Sequence, residues 1–373
     1  MKKIKKAAVK MGQIDYILFY VIFFLLAIGV VMVYSASSFY AMYNFNDNMY
    51  FLKKQGFSAI VGVIAMLFMM SFDYHKLKKL TVPLIIITIP LLYVVFLFEG
   101  TNGAQRWIPL PGFSLQPSEI AKYAVVAFLA LSIDKKGEGI KNFKTGILPY
   151  IVFSGFFAGS VLLEKNLSIA SVIMIVTLIV LFVGGARPRD FATIIPVLFA
   201  GGVFFIFSES YRRERLLNFL DPWKDPANNG YQLIQSFLAL GAGGVTGLGL
   251  GQSRQKTLYM PEPHNDFIFS IIGEELGLIG CLFIIILFVV LVWRGISIAM
   301  RAKDTYGTLL ATGITGIIAV QALINIAVVT GSMPVTGVPL PLISYGGSSL
   351  IINMTALGIL LNISRQIERK SST

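Results

Sequence analysis

Residues 256–277 read KTLYMPEPHNDFIFSIIGEELG, and the apolar run that starts there continues without a charge as far as Arg294. From position 266 to 293 the run is long enough to cross a hydrocarbon core of roughly 30 Å at about 1.5 Å per residue. The stretch is therefore a membrane helix with Asp266 at its mouth and Glu274 and Glu275 inside it. Carboxylates at such depth are costly and face a polar cavity, a substrate or an ion path, so the segment predicts both the fold class and the place to look for function.

Nine further apolar runs accompany it, near 14–35, 57–72, 82–99, 117–133, 147–163, 167–184, 191–208, 307–330 and 340–362. The composition agrees, with 55% hydrophobic and 13% charged residues and a mean hydropathy of +0.75. The chain is expected to be all-α, a polytopic integral membrane protein of about ten transmembrane helices. They form a single domain over 14–363, with a basic tail at 1–13, a short tail at 364–373 and one large loop at about 209–265.

Orientation follows from the basic residues, because Lys and Arg in short loops are retained on the cytoplasmic side. With the amino terminus inside, 20 of the 31 basic residues fall in the tails and inner loops, while the short outer loops hold Lys53, Lys54, Arg106 and Lys165. Both termini are expected in the cytoplasm and the large loop outside. The first run follows five lysines and ends near Ser35-Ala36-Ser37, but it is too long for the apolar region of a secretory signal and is read as an uncleaved first helix.

Several chemistries are not expected. Cys281 is the single cysteine, so neither a disulfide framework nor a thiolate metal site can form, and His75 and His264 are too few for a histidine-built site. The glycines of GAGGVTGLGLG at 241–251 follow no predicted strand and are no dinucleotide fingerprint. They either allow close backbone approach or expose amides that cradle a phosphate. With no nucleotide-binding loop, any reaction must draw on an activated substrate, a gradient or a partner.

The 57-residue loop at 209–265 is too rich in anchors for disorder, with Tyr211, Trp223, Tyr231, Leu233, Phe237 and Leu240, and its Asp-Pro steps read as turns. It is also basic, carrying Arg212, Arg213, Arg215, Lys224, Arg254 and Lys256. An ordered basic loop at a membrane surface suits an anionic ligand such as a lipid-linked phosphate, although headgroup contact alone would account for individual residues. Two other clusters carry polar groups. Gly103 to Ile108, including Arg106 and Trp107, leads to Pro117-Ser118-Glu119-Ile120-Ala121-Lys122, where Glu119 and Lys122 share a helix face. Met333 to Pro341, followed by Ser344-Tyr345-Gly346-Gly347-Ser348-Ser349, is a broken entry to the last span, and its freed backbone groups are expected to line a cavity.

Taken together, Tyr211-Arg212 with Arg215, Pro222-Trp223, Gly230-Tyr231-Gln232, Gly249-Leu250-Gly251, Pro261-Glu262 with His264, Asp266-Phe267-Ile268-Phe269 and Glu274-Glu275-Leu276-Gly277 resemble the SEDS family of shape, elongation, division and sporulation proteins, in its FtsW and SpoVE branch. Arg106-Trp107-Ile108, Gln116-Pro117-Ser118-Glu119 with Lys122, and Ser344-Tyr345-Gly346-Gly347-Ser348 fit as well, so the resemblance spans nearly the whole chain. One departure is Glu164-Lys165-Asn166-Leu167-Ser168, where the family usually reads Gln-Pro-Asp-Leu-Gly.

The resemblance implies an inverting glycosyltransferase of the bacterial cytoplasmic membrane that polymerises lipid II, an undecaprenyl-pyrophosphate-linked donor, alongside a class B penicillin-binding protein and other division or sporulation membrane proteins. It implies no nucleic-acid partner and no organic cofactor, and leaves room for a divalent cation, Mg or Mn, with unknown ligands. Asp266 matches the family's essential aspartate and is the expected base. Arg212, Arg215 and Lys256 are the expected phosphate-binding charges, and Arg106, Trp107, Glu119, Lys122, Glu262 and Ser344 are further substrate-binding candidates. A lipid II flippase and a non-catalytic scaffold for a penicillin-binding protein are the alternatives, and the lack of a clear internal repeat weighs against a transporter.

Overall fold

The computed structural model describes residues 12–100, 104–110, 113–208, 210–228, 230–257 and 259–367. Ten helices occupy the ten apolar runs: α1 (Tyr16–Phe45), α2 (Tyr50–Ser71), α3 (Leu77–Val94), α4 (Pro117–Lys136), α5 (Leu148–Leu163), α6 (Leu167–Val183) and α7 (Pro188–Phe207), then α10 (Ile268–Arg301), α11 (Thr305–Val329) and α12 (Gly347–Arg365). The connection between α7 and α10 carries α8 (Ser210–Leu220) and α9 (Tyr231–Gly243). Eight of the ten are long and apolar enough to span a membrane. Of the other two, α6 is 17 residues long and α4 carries Glu119, Lys122 and Asp134 within its apolar length.

Local chemistry explains the helix starts. Asp15, Asn166 and Asp304 accept backbone N–H bonds from Leu18, Ile169 and Gly307 at 3.0, 3.2 and 3.3 Å, and Pro117 opens α4 where its missing N–H is no loss. The last span begins later than the sequence suggests. Residues 340–346 stay irregular because Pro339 and Pro341 cannot continue a helix, and α12 starts only at Gly347. An unforeseen element is a small hairpin, β1 (Ile108–Leu110) against β2 (Phe113–Leu115), in register Ile108 with Leu115.

α11 and α12 lie at the centre, with 67% of their apolar windows buried, whereas α7 is peripheral at 6%. One row of α10, including Leu282, Phe283, Ile286, Val289 and Trp293, is exposed and faces lipid. α2 and α12 pack closely where Gly358 lies against the α2 backbone. A Cβ there would come within 2.4 Å of the Met66 carbonyl oxygen. Gly358→Leu is therefore expected to force the two helices apart, by about 1–3 kcal/mol or more, seen as loss of monodisperse protein in detergent.

The start of α1 and the end of α12 meet on one face: the Gly12 N–H donates to the Arg365 carbonyl at 2.8 Å, and Arg294 of α10 pairs with Asp15. The α7–α10 connection and the entry to α12 lie at the other end of the bundle, here termed the loop face.

The glycines at 241–251 do structural work. α10 breaks at Gly277 (φ 67°, ψ −167°), so Leu278 and Ile279 cannot donate to the Glu274 and Glu275 carbonyls. Their N–H groups donate instead to Gly244 and Val245 at 2.9 and 3.1 Å, while Leu248 and Gly249 donate to Glu274 and Glu275 at 2.9 and 3.0 Å. Gly247 (φ 82°) and Gly277 permit this contact, since a Cβ on either would lie 2.2–2.4 Å from the other ribbon's backbone. The Leu248 and Gly249 amides are spent in this way, and Gly247 and Gly277 serve the close backbone approach.

Candidate functional site

Asp266 ends the loop connection two residues before α10, partly buried at the loop face. Its position is fixed through the backbone. Asn325 of α11 donates through Nδ2 to the Asp266 carbonyl and to the Val338 carbonyl, both at 2.7 Å, and so ties the start of α10 to the 333–341 segment. Ser344 acts in the same way: its hydroxyl donates to the Asn265 carbonyl and accepts from the Leu340 N–H, both at 2.8 Å. The Tyr345 N–H donates to the His264 carbonyl at 2.9 Å. The His264 ring sits among Phe51, Tyr345 and Tyr40, with centroids 4.1, 5.4 and 5.8 Å away. Burial holds this imidazole down at about 3, so it is neutral and serves as an aromatic wedge.

The Asp266 carboxyl is pushed up to about 6 by burial, opposed by the positive charges of Arg106 and Arg215 and reinforced by Glu262. Gly337 (φ 74°) lies beside it, close enough that a Cβ would meet Asp266 Oδ2 at 3.3 Å. Both arginines are held by carbonyl groups. Arg106 donates through Nε to Glu164 O at 3.2 Å and through Nη2 to Lys165 O at 2.5 Å, and Arg215 Nη1 donates to Val335 O at 3.2 Å. Carbonyl acceptors fix the two guanidinium groups in place, and cations so positioned suit a site for a developing anion. Beside Arg215 opens a polar cavity of about 150 Å³, lined also by Asn218, Phe219, Asn228 and Gln232.

Other predicted residues lie elsewhere or play different parts. Lys256 is buried, its Nζ 2.7 Å from Glu275 Oε1 and 3.2 Å from Ser35 Oγ. The lysine expected to face a phosphate is thus committed to an internal ion pair, and Arg106 and Arg215 are the charges that act on Asp266. Glu274 is also structural, accepting from the Arg254 and Gln255 N–H groups at 2.9 and 3.3 Å and from the Ser253 hydroxyl. Glu119 and Lys122 form a buried pair at 2.9 Å inside a polar network with Gln321 and Ser349, each at 2.9 Å. Glu262 is exposed and accepts from Asn265 Nδ2 at 2.7 Å, and Trp107 is 37% exposed at the entry to β1. The Arg212 side chain lies outside the described residues.

Asn325 was not singled out by the sequence reading, whereas Gly337 entered it only within the Met333–Pro341 segment and Glu164 only as a departure from the family pattern. Gln321 and Asn325, four apart in an otherwise apolar run, share a helix face and were the available signal for the first of them.

The chain is similar to several known proteins. The chain is 46% identical over 343 residues to the probable peptidoglycan glycosyltransferase FtsW of Geobacter metallireducens, covering 91% of this chain and 92% of that one. It is 45% identical over 357 residues to the stage V sporulation protein E of Bacillus subtilis, covering 94% and 97%. Among solved structures it matches a chain from work on the structural coordination of polymerization and crosslinking by a peptidoglycan synthase complex, with TM-score 0.78, 28% identity and coverage of 95% and 99%. It also matches the rod shape determining protein RodA of Thermus thermophilus, with TM-score 0.71, 25% identity and coverage of 95% and 98%. The FtsW/RodA/SpoVE family model, described as cell cycle protein, matches residues 16–369, and with these relatives it establishes that the chain is a multi-pass membrane protein belonging to that family.

Proposed function

We propose that the protein is a peptidoglycan glycosyltransferase that polymerises lipid II at the outer face of the bacterial cytoplasmic membrane, for septal division or sporulation, in complex with a class B penicillin-binding protein. The observation that carries the reading is a carboxyl at a membrane mouth, raised by burial and flanked by two arginines on carbonyl anchors. The names of the FtsW relatives support the activity, and the synthase-complex neighbour supports the partner. The concentration of basic residues in the tails and alternate loops supports cytoplasmic termini, with the loop face outside.

In this reading the 4-hydroxyl of the acceptor sugar attacks the anomeric carbon of the donor with inversion, from an α-linked pyrophosphate to a β-linked glycan. The Asp266 carboxylate takes the hydroxyl proton as the new C–O bond forms. The bond from the anomeric carbon to the phosphate oxygen breaks with its electron pair on the pyrophosphate, and Arg106 and Arg215 stabilise that charge. The pyrophosphate needs no acid to leave, so one carboxylate suffices. Among the described residues no group of three or more His, Cys, Asp or Glu side chains is arranged to hold a metal ion. A divalent cation, if bound, would be held by oxygens of the substrate and would neutralise part of its charge, and no step is routed through it.

Purified with its partner, the protein is expected to turn lipid II into glycan polymer. Transport of lipid II between leaflets without polymer would favour a flippase instead. The base must be ionised, so the rate is expected to fall about tenfold per unit as pH drops below about 6 and to level off above it. A rate indifferent to pH between 5 and 7 would remove Asp266 from that role.

A further inference from the structure

The polar cavity beside Arg215 forms where one face of α8 meets the start of α9 and the 333–341 segment. Arg215, Asn218 and Phe219 stand three and four positions apart on α8 and so share that face, while Gln232 comes from the first turn of α9 and Val335 from the segment. Asn228, in the turn before α9, completes the wall and donates through Nδ2 to Asp225 Oδ1 at 3.0 Å. Asn218 and Gln232 are half-buried, and among the described residues their side-chain amides have no hydrogen-bonding partner in the protein. Polar groups so placed call for a partner from outside the chain.

Carboxamides gathered around a cation suit more than an anion. A phosphate presents acceptors only and gathers cations and N–H donors. A carboxamide presents N–H donors together with a carbonyl acceptor, so its complement is another amide, which offers one of each. Phe219 and Val335 add apolar surface for a methyl group. At about 150 Å³ the cavity is well below the roughly 300–1,000 Å³ that hold a whole small-molecule ligand, so it takes one substituent of a larger substrate.

Its place relative to the reacting groups selects the substituent. The Val335 carbonyl accepts from Arg215 Nη1 at 3.2 Å, Gly337 two residues on lies against Asp266 Oδ2, and the Arg215 charge acts on the Asp266 carboxyl. In lipid II the donor sugar carries its pyrophosphate on the anomeric carbon and an acetamido group on the adjacent C2, so a guanidinium that meets the one borders a pocket for the other. We propose that this cavity binds the C2 acetamido group of the donor sugar, with Asn218 and Gln232 pairing with its N–H and carbonyl and Phe219 against its methyl, and so selects N-acetylated amino sugars. This assignment rests on the glycosyltransferase reading above and adds the group by which the same site recognises its donor.

The test compares polymer formation from purified lipid II with that from an analogue bearing a hydroxyl in place of the acetamido group on the sugar next to the pyrophosphate. Both are given to complexes of the wild type and of Asn218→Leu/Gln232→Met. The wild type is expected to use the analogue about 10–100-fold less efficiently in kcat/KM, the loss of two hydrogen bonds from a built site. The double variant should use lipid II itself less well by a similar factor and separate the two substrates by no more than about twofold. Equal use of both substrates by the wild type overturns the proposal. So does a double variant that keeps the full separation, whether or not it is slowed, because the amides then serve the pyrophosphate or the fold.

Thermal midpoints in detergent read the same contact without turnover, because a ligand stabilises the folded state more the tighter it binds. Lipid II should raise the wild-type midpoint more than the 2-hydroxy analogue does, and the two should act alike on the double variant. Gln232→Met alone serves where the double variant fails to fold. This pattern of midpoints with no polymer from any complex defeats the glycosyltransferase reading and leaves the acetamido site supported. Polymer from the wild type with equal rates and equal midpoints for the two substrates overturns the acetamido site and leaves the glycosyltransferase reading standing.

Discussion

Asp266→Ala, compared with wild type at equal yield of the complex with a class B penicillin-binding protein, is expected to lower polymer formation from lipid II by about 10²–10⁴-fold. The substitution removes the carboxylate but not the scaffold, because Asn325 and Ser344 hold this stretch through the carbonyls of Asp266 and Asn265. The variant should therefore match wild type in thermal midpoint and partner binding while losing turnover. Equal polymer from both would remove Asp266 from the chemistry. Loss of partner binding along with turnover would point to a scaffold in which Asp266 is structural.

Lys256→Met should unfold the loop face without touching the chemistry directly. Among the described residues it leaves the fully buried Glu275 carboxylate with the Ser35 hydroxyl and the Ser253 N–H, the latter at 3.4 Å, to compensate it. Stranding a buried charge in this way costs about 3–5 kcal/mol, whereas exchanging both partners for apolar side chains is often neutral. A large drop in thermal midpoint for Lys256→Met, largely recovered in Lys256→Met/Glu275→Leu, is the expected pattern. If Lys256 instead served the phosphate, the single variant would lose rate with little change in stability and the second substitution would restore nothing.

The helices were legible because a spanning segment must be both apolar and long enough to cross the hydrocarbon core, and that length shows in the sequence. Boundaries were harder where polar chemistry enters. The run at 340–362 looks like one span, yet Pro339 and Pro341 delay its helix to Gly347. Asp266 stood out because a carboxylate at the head of an apolar run is rare. Lys256 misled because sequence shows that a lysine is near the membrane but not which acid it meets, and its partner lies 19 positions along the chain. Arg106 could be named, but its anchors at Glu164 and Lys165 lie 58 and 59 positions away, beyond any local periodicity. The hairpin at 108–115 was hidden by two prolines that read as a plain loop.

The exchange of backbone bonds at Gly277 bears on how the chain enters the membrane. An ordinary spanning helix is a self-sufficient unit of insertion, since its amides and carbonyls are all satisfied within it. α10 is not, because two of its carbonyls and two of its amides find partners only in residues 244–249. Threaded into the bilayer without that ribbon, it would carry four open polar groups, each penalised by several kcal/mol in hydrocarbon. The backbone of α10 is thus completed only with the preceding ribbon ordered against it, and a polypeptide severed between the two is expected to leave neither fragment able to complete its own backbone.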